Sequence, residues 1–291
     1  MKTKIFVLAL TRYIILSMSF TVCFTACFFN IDIPTEIHVY SLSDAKKKLA
    51  DYSSDGIGSS PEELLDVYVR FDIGDLSQPG NSYLRLIEII GDSGLYVNLK
   101  LGTATMGTRV FTSPQLNEAV KGMDKIIGTT TPVGITSIRA DKNGKSPFFF
   151  YENLLSFYHP DFSNKGTLTE IGDFAFSSCK NLKYIGIGYN VKTIGREAFH
   201  GCENLSGGIS FDSSLITIGD KAFYDCSALE RIQFRGIPPT LGESVFLGST
   251  PSTITFSIEP EHEALYCAWL TENASKFNNE GKDIVFKLTS N

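Results

Sequence analysis

Positive charge is in short supply in this chain: 26 lysines and arginines stand against 32 aspartates and glutamates, a formal net charge of −6. Binding to a phosphate backbone depends on the opposite balance, so the expected partners include no nucleic acid. Histidine is scarce as well. His38, His159, His200 and His262 are scattered, with no His-x3-His or His-Glu-x2-His run to set two imidazoles on one helix face. There is no Gly-x-Ser-x-Gly elbow and no Gly-x4-Gly-Lys-Ser/Thr phosphate loop. No cofactor and no metal site is therefore expected, no catalytic residue is assigned, and a secreted hydrolase ranks last among the functional readings. With 43% hydrophobic and 20% charged residues the chain reads as globular, neither disordered nor built of many membrane spans.

One long apolar stretch stands at the N-terminus. Lys2 and Lys4 precede it, and it runs through Ile14 to Val22 after Thr11-Arg12-Tyr13. This is the pattern of a secretory signal over residues 1–26. An uncleaved anchor helix would bury Arg12 in hydrocarbon at a cost of about 2.5–3.5 kcal/mol. Phe24-Thr-Ala-Cys27 resembles the lipobox of bacterial lipoproteins, with a small residue just before the cysteine, which makes Cys27 the expected lipidation site. Cleavage would remove three positive charges and no acid, leaving a more acidic mature chain.

Downstream, one dozen is written three times: IGDFAFSSCKNL from Ile171, IGREAFHGCENL from Ile194 and IGDKAFYDCSAL from Ile218. The steps from Ile171 to Ile194, Ile218 and Leu241 are 23, 24 and 23 residues, and Phe176, Phe199, Phe223 and Phe246 keep the same spacing. A period of about 20–29 residues is that of a leucine-rich-repeat solenoid. Each copy continues into a strand signal, Leu182-x-x-Ile185-x-Ile187 in the first and Leu229-x-x-Ile232-x-Phe234 in the third. The second, Leu205, Ile209, Phe211, runs one residue late at Ser206-Gly207-Gly208, which suggests a bulge. Alternation then turns Tyr184, Gly186, Gly208, Ser210, Arg231, Gln233 and Arg235 toward solvent.

The three repeated cysteines, Cys179, Cys202 and Cys226, admit three readings. Zinc uses short spacings, whereas these lie a whole coil apart. In a solenoid, equivalent Cα atoms stack at about 5 Å, a distance a disulfide tolerates. The reading preferred is that each fills its turn inward as a small buried side chain.

Upstream the period stretches. Val67, Val69, Phe71 and Ile73 alternate with polar residues, as do Leu95, Val97, Leu99 and Leu101, and both segments read as half-buried strands. Tyr83–Ile90 has helical spacing with Arg85 and Glu88 on its polar side, and Ser60-Pro-Glu-Glu63 reads as one short helical turn. Weaker strands are expected at Lys125–Thr130 and Ile135–Ile138. The aromatic run Phe148–Tyr151 and Phe157-Tyr158 reads as core packing, with an exposed partner loop as the alternative. Toward the C-terminus come a strand Thr253–Ile258, a helix Pro260–Asn273 with Leu265, Tyr266 and Trp269 on one side, and a strand Asp283–Leu288, together a cap for the last coil.

The pattern I-G-x-x-A-F-x-x-C-x-x-L-x-x-I-x-I over Leu168–Phe246 resembles the BspA-type leucine-rich repeat of spirochaete and Bacteroidetes surface proteins, and Tyr96–Leu101, Val110-Phe111 and Gly122–Ile126 resemble the diverged repeats of its treponemal branch. The resemblance implies a lipid-anchored or secreted binding protein, adhesive toward host matrix proteins or other bacteria, with no catalytic residues. The expected fold class is α/β, a solenoid whose curved parallel sheet is backed by short helices or irregular coil. Its divisions are 1–26 signal, 27–58 tether and first helix, 59–166 diverged repeats, 167–250 regular repeats and 251–291 cap. The expected function is non-catalytic protein binding at the cell surface or outer membrane, by a monomer whose candidate contacts are Tyr184, Ser210, Asp212, Arg231, Gln233 and Arg235. The rival is a structural or antigenic coat protein without a dedicated ligand.

Overall fold

Residues that alternate inward and outward can bury one side only if another layer covers it, and here each coil covers the next. The computed structural model describes residues 35–52, 57–78, 80–114, 116, 118–160, 166–249, 253–258, 262–277 and 285–290, all within one compact unit, Thr35–Asn291. The signal and Cys27 lie outside the described residues. Among the described residues no helix is long and apolar enough to cross a membrane.

The strands are β1 Glu36–Val39, β2 Leu65–Val69, β3 Val97–Lys100, β4 Val110–Thr112, β5 Ile126–Thr130, β6 Ser137–Arg139, β7 Ser156–Tyr158 and β8 Glu170–Ile171. They continue as β9 Tyr184–Gly186, β10 Thr193–Ile194, β11 Ile209–Phe211, β12 Thr217–Ile218, β13 Arg231–Arg235, β14 Thr240–Leu241, β15 Thr253–Ile258 and β16 Val285–Ser290. The helices are α1 Leu42–Tyr52, α2 Ser82–Ser93 and α3 Glu263–Asn273. Every ladder is parallel, as a solenoid requires when each strand is followed one turn later by its equivalent.

Two strand faces run along the molecule. The front face has the order β1-β2-β3-β5-β7-β9 and then, as a separate sheet, β11-β13-β15-β16. A second face, β4-β6-β8-β10-β12-β14, is built from strands of two or three residues, Thr-Ile in β10 and β12, Glu-Ile in β8 and Thr-Leu in β14. The sequence reading had one parallel sheet. It missed the second because two or three paired residues leave too short an alternation to recognise.

The third side of each regular coil was expected to be helical or irregular and has a ladder of its own. Phe174, Phe176 and Ser178 N–H donate to the carbonyls of Arg196, Ala198 and His200 one coil on. Glu197, Phe199 and Gly201 do the same to Asp220, Ala222 and Tyr224. Left-handed residues recur in step, Phe174, Glu197, Lys221 and Ser244, and again Ser178, Gly201, Asp225 and Gly248. They aim alternate N–H groups at the neighbouring coil, so these backbone donors are satisfied without a helix. Between the faces a column of stacked rings runs through Phe111, Phe148, Phe176, Phe199, Phe223, Phe246 and Phe277, with centroids 5.0–5.7 Å apart.

Several expectations shift in detail. The turn at Ser60–Glu63 closes with an i→i+3 bond, Glu63 N–H to Ser60 O, because β2 begins two residues later and leaves no room for a helical turn. The strand expected through Ile73 ends at Val69, and Asp72 makes an isolated bridge to Thr105. The aromatic run divides: Phe148, Tyr151 and Phe157 are buried, while Phe149 and Tyr158 are exposed. Helix α2 keeps Arg85 and Glu88 outward and is capped by Asn81, whose side chain accepts Leu84 N–H. Against the last coil, Tyr266 donates its hydroxyl to Gly236 O, Trp269 Nε1 donates to Pro239 O, and the Phe277 ring stacks on Phe246. Those two anchors set the rotation of α3, and Leu265, expected beside them, is instead exposed.

Candidate functional site

Pairing stops once on the front face. Strand β9 pairs with β7, and β11 pairs with β13, but β9 and β11 share no ladder. Their coils remain joined at one end, where Asn204 N–H donates to Lys180 O at 3.1 Å and Gly207 N–H to Lys183 O at 3.4 Å. The extra residue at Ser206-Gly207-Gly208 then carries β11 out of register with β9 and into register with β13, Ile209 opposite Ile232 and Phe211 opposite Phe234. Ile209 and Phe211 are buried, so the core on β13's side holds the strand, and the front ladder opens instead of bulging.

The break is a groove along β11. Two adjoining cavities meet at Ser210, one of about 300 Å³ bounded by Arg231 and Gln233, the other of about 240 Å³ bounded by Asp212 and Arg235. Gly186, Gly188 and Gly208 bring bare backbone to its lining, beside Ile187 and the exposed Tyr189. A Cβ at Gly208 would meet Arg231 Nε at 2.9 Å, so glycine there lets the guanidinium lie close over the strand.

The six candidate contacts all fall on or beside this groove. Tyr184 on β9 is 46% exposed, with Lys183 Nζ 5.4 Å from its ring centre. Ser210 is exposed and lies opposite Gln233, their side-chain oxygens 3.4 Å apart. Asp212 is half-buried, its Oδ1 accepting Ser213 N–H at 2.7 Å. Arg231 and Arg235 are exposed, and none of the ion pairs among the described residues involves either. The alternation rule had named these residues. It had not shown that the sheet parts beside them, and the glycine pair was its only signal.

The repeated cysteines are buried and unpaired. Cys202 Sγ lies 3.2 Å from Phe176 O and Cys226 Sγ 3.1 Å from Phe199 O, each thiol donating to the preceding coil. In the next coil Ser249 takes the same slot and its hydroxyl donates to Phe223 O. Burial pushes the Cys179 thiol up to about 12 and raises that of Cys202 well above its ordinary value. A thiol held neutral in this way is a packing group that also satisfies a carbonyl.

Larger concavities of about 520 and 660 Å³ flank Arg139–Lys142 at the other strand face. Their walls mix Arg139, Lys142 and Arg196 with Asp75, Glu170 and Asp173. Asp141 Oδ1 is engaged by the N–H groups of Asn143 and Lys145, closing its turn. Among the described residues no three His, Cys, Asp or Glu side chains are grouped to hold a metal ion.

Residues 146–266 match the model of the BspA type leucine rich repeat region in six copies. No curated protein matches the chain. Among solved structures, a leucine-rich repeat protein from Bacteroides ovatus is 19% identical, covering 67% of this chain and 46% of that one, with a TM-score of 0.38. The match thus spans less than half the length of that protein.

Proposed function

We propose that this protein, a BspA-type leucine-rich-repeat protein through residues 146–266, binds a protein partner with its front face beside the β9/β11 break. Stacked repeats offer long continuous surfaces for protein recognition. The observation that carries the choice of face is the grouping of an exposed tyrosine, Tyr184, with two arginines that form no ion pair among the described residues, around a groove. Tyrosine and arginine are the side chains most enriched where binding energy concentrates. The reading is of binding and not catalysis, by a monomer, with a host matrix protein or the surface of another bacterium as partner. Export by residues 1–26 and lipidation at Cys27 would display the solenoid on the cell surface or outer membrane.

A screen of the mature chain against matrix proteins and co-resident bacteria supplies the partner. Replacing Tyr184, Arg231 and Gln233 together by alanine should then weaken binding by about tenfold or more while thermal unfolding is unchanged. Undiminished binding would move the site to the loops or the other faces, and a mature chain that binds nothing would leave a coat protein. Incorporation of labelled palmitate, abolished by Cys27→Ala, tests the anchor, and no incorporation would remove it.

A further inference from the structure

The geometry points to the groove along β11 as the seat of an extended acidic peptide segment whose two carboxylates stand four residues apart. This rests on the front-face reading and adds the chemistry of what binds there. Arg231 and Arg235 are both exposed residues of β13. At about 3.3 Å per residue their Cα atoms are separated by about 13 Å along the strand. An extended segment lying along the groove turns residues i, i+2 and i+4 to the same side. Residues i and i+4 therefore repeat the Cα separation of the two arginines, while residue i+3 points away.

Three further observations fit that occupant. Both guanidiniums lack an ion pair among the described residues, and a guanidinium fork donates two parallel hydrogen bonds to a carboxylate. Gln233 lies midway between the arginines and faces Ser210, so the central residue of the segment meets an amide and a hydroxyl. Gly186, Gly188 and Gly208 bring bare backbone to the lining, which lets a second main chain come close where β9 and β11 leave each other unpaired. Asp212 lines the Arg235 end, and its charge opposes a carboxylate there, so Asp212→Asn should tighten binding.

The test uses the full chain and two fluorescein-labelled peptides of one composition, serine, threonine and valine with two glutamates, placed four apart in one and three apart in the other. Fluorescence anisotropy should show the four-apart peptide binding about threefold more tightly, an advantage removed by Arg231→Gln with Arg235→Gln and weakened by salt. Thermal unfolding of the double variant should match the parent, since both arginines are exposed. Equal affinity for the two peptides, binding of neither, or a heparin fragment binding more tightly than either would overturn the proposal. If the Tyr184, Arg231 and Gln233 variant still loses its partner in that case, the front-face reading stands and only the acidic-strand inference fails.

Discussion

The glycines of Ile194-Gly195, Ile218-Gly219 and Leu241-Gly242 sit where one coil presses on the next. A Cβ on Gly195 would meet Asp173 N at 2.5 Å, on Gly219 Arg196 N at 2.7 Å, and on Gly242 Asp220 N at 2.4 Å. These contacts are to backbone, which cannot swing aside as a side chain can. Gly219→Ala should therefore cost about 1–3 kcal/mol of stability, measured by chemical denaturation. Gly107→Ala is the control, because nothing lies within 4 Å of its Cβ position, and it should be close to neutral. The cysteine slot follows the same logic of contact between coils. Its recurrence was legible, and so was its inward direction, but the carbonyl it serves belongs to another coil and could not be read from spacing. Ser249 in the fourth copy makes the point: serine fits because the slot calls for a small donor.

At the scale of elements, what stacks matters more than what is local. Strands β2, β3 and β13 were readable because four or five residues alternate over a continuous core, and the three-residue β9 and β11 because the repeat period restates the same strand signal in each copy. The ring column was readable from Phe176 to Phe246, where the period is constant. Phe111 and Phe148 join it from the irregular coils, and Phe277 closes it from beyond α3, at spacings no period announces. Truncating Phe277 exposes the end of the column and leaves Trp269, the only tryptophan, without a ring contact at 5.5 Å. Phe277→Ala should cost about 3 kcal/mol, with Trp269 emission shifting red before the rest of the chain unfolds. Simultaneous loss of emission and circular dichroism at the parent midpoint would show that the C-terminal helix adds nothing to the last coil.

At the scale of the whole molecule, a solenoid has no centre, and its buried ionisable groups are spread along its length. Burial pushes the Tyr83 phenol from 10.0 up to about 12 and the Cys179 thiol from 9.0 up to about 12, and raises Tyr151 well above its ordinary value. In the unfolded chain these groups ionise nearer 9.0 and 10.0. The unfolded state thus binds fewer protons between those values and about 12, so stability, complete below pH 9, falls as pH rises through that window. Alkaline titration should show the last tyrosines ionising together with the loss of structure. Smooth ionisation of every tyrosine while the fold persists would contradict their burial.

Period, inward set, strand alternation and the repeat class were determined by the sequence alone, because each is a local pattern that every coil restates. The candidate contacts were legible to the same extent, as the outward members of that alternation. The second strand face, the ladder of left-handed turns and the parting of β9 from β11 were decided by the tertiary structure. They depend on which neighbour a coil pairs with, and one residue of register at Gly207-Gly208 is small in the sequence yet enough to hand β11 from one sheet to the other. The groove, and the two arginines spaced along it, exist only because the buried Ile209 and Phe211 side chains hold the strand to the far side.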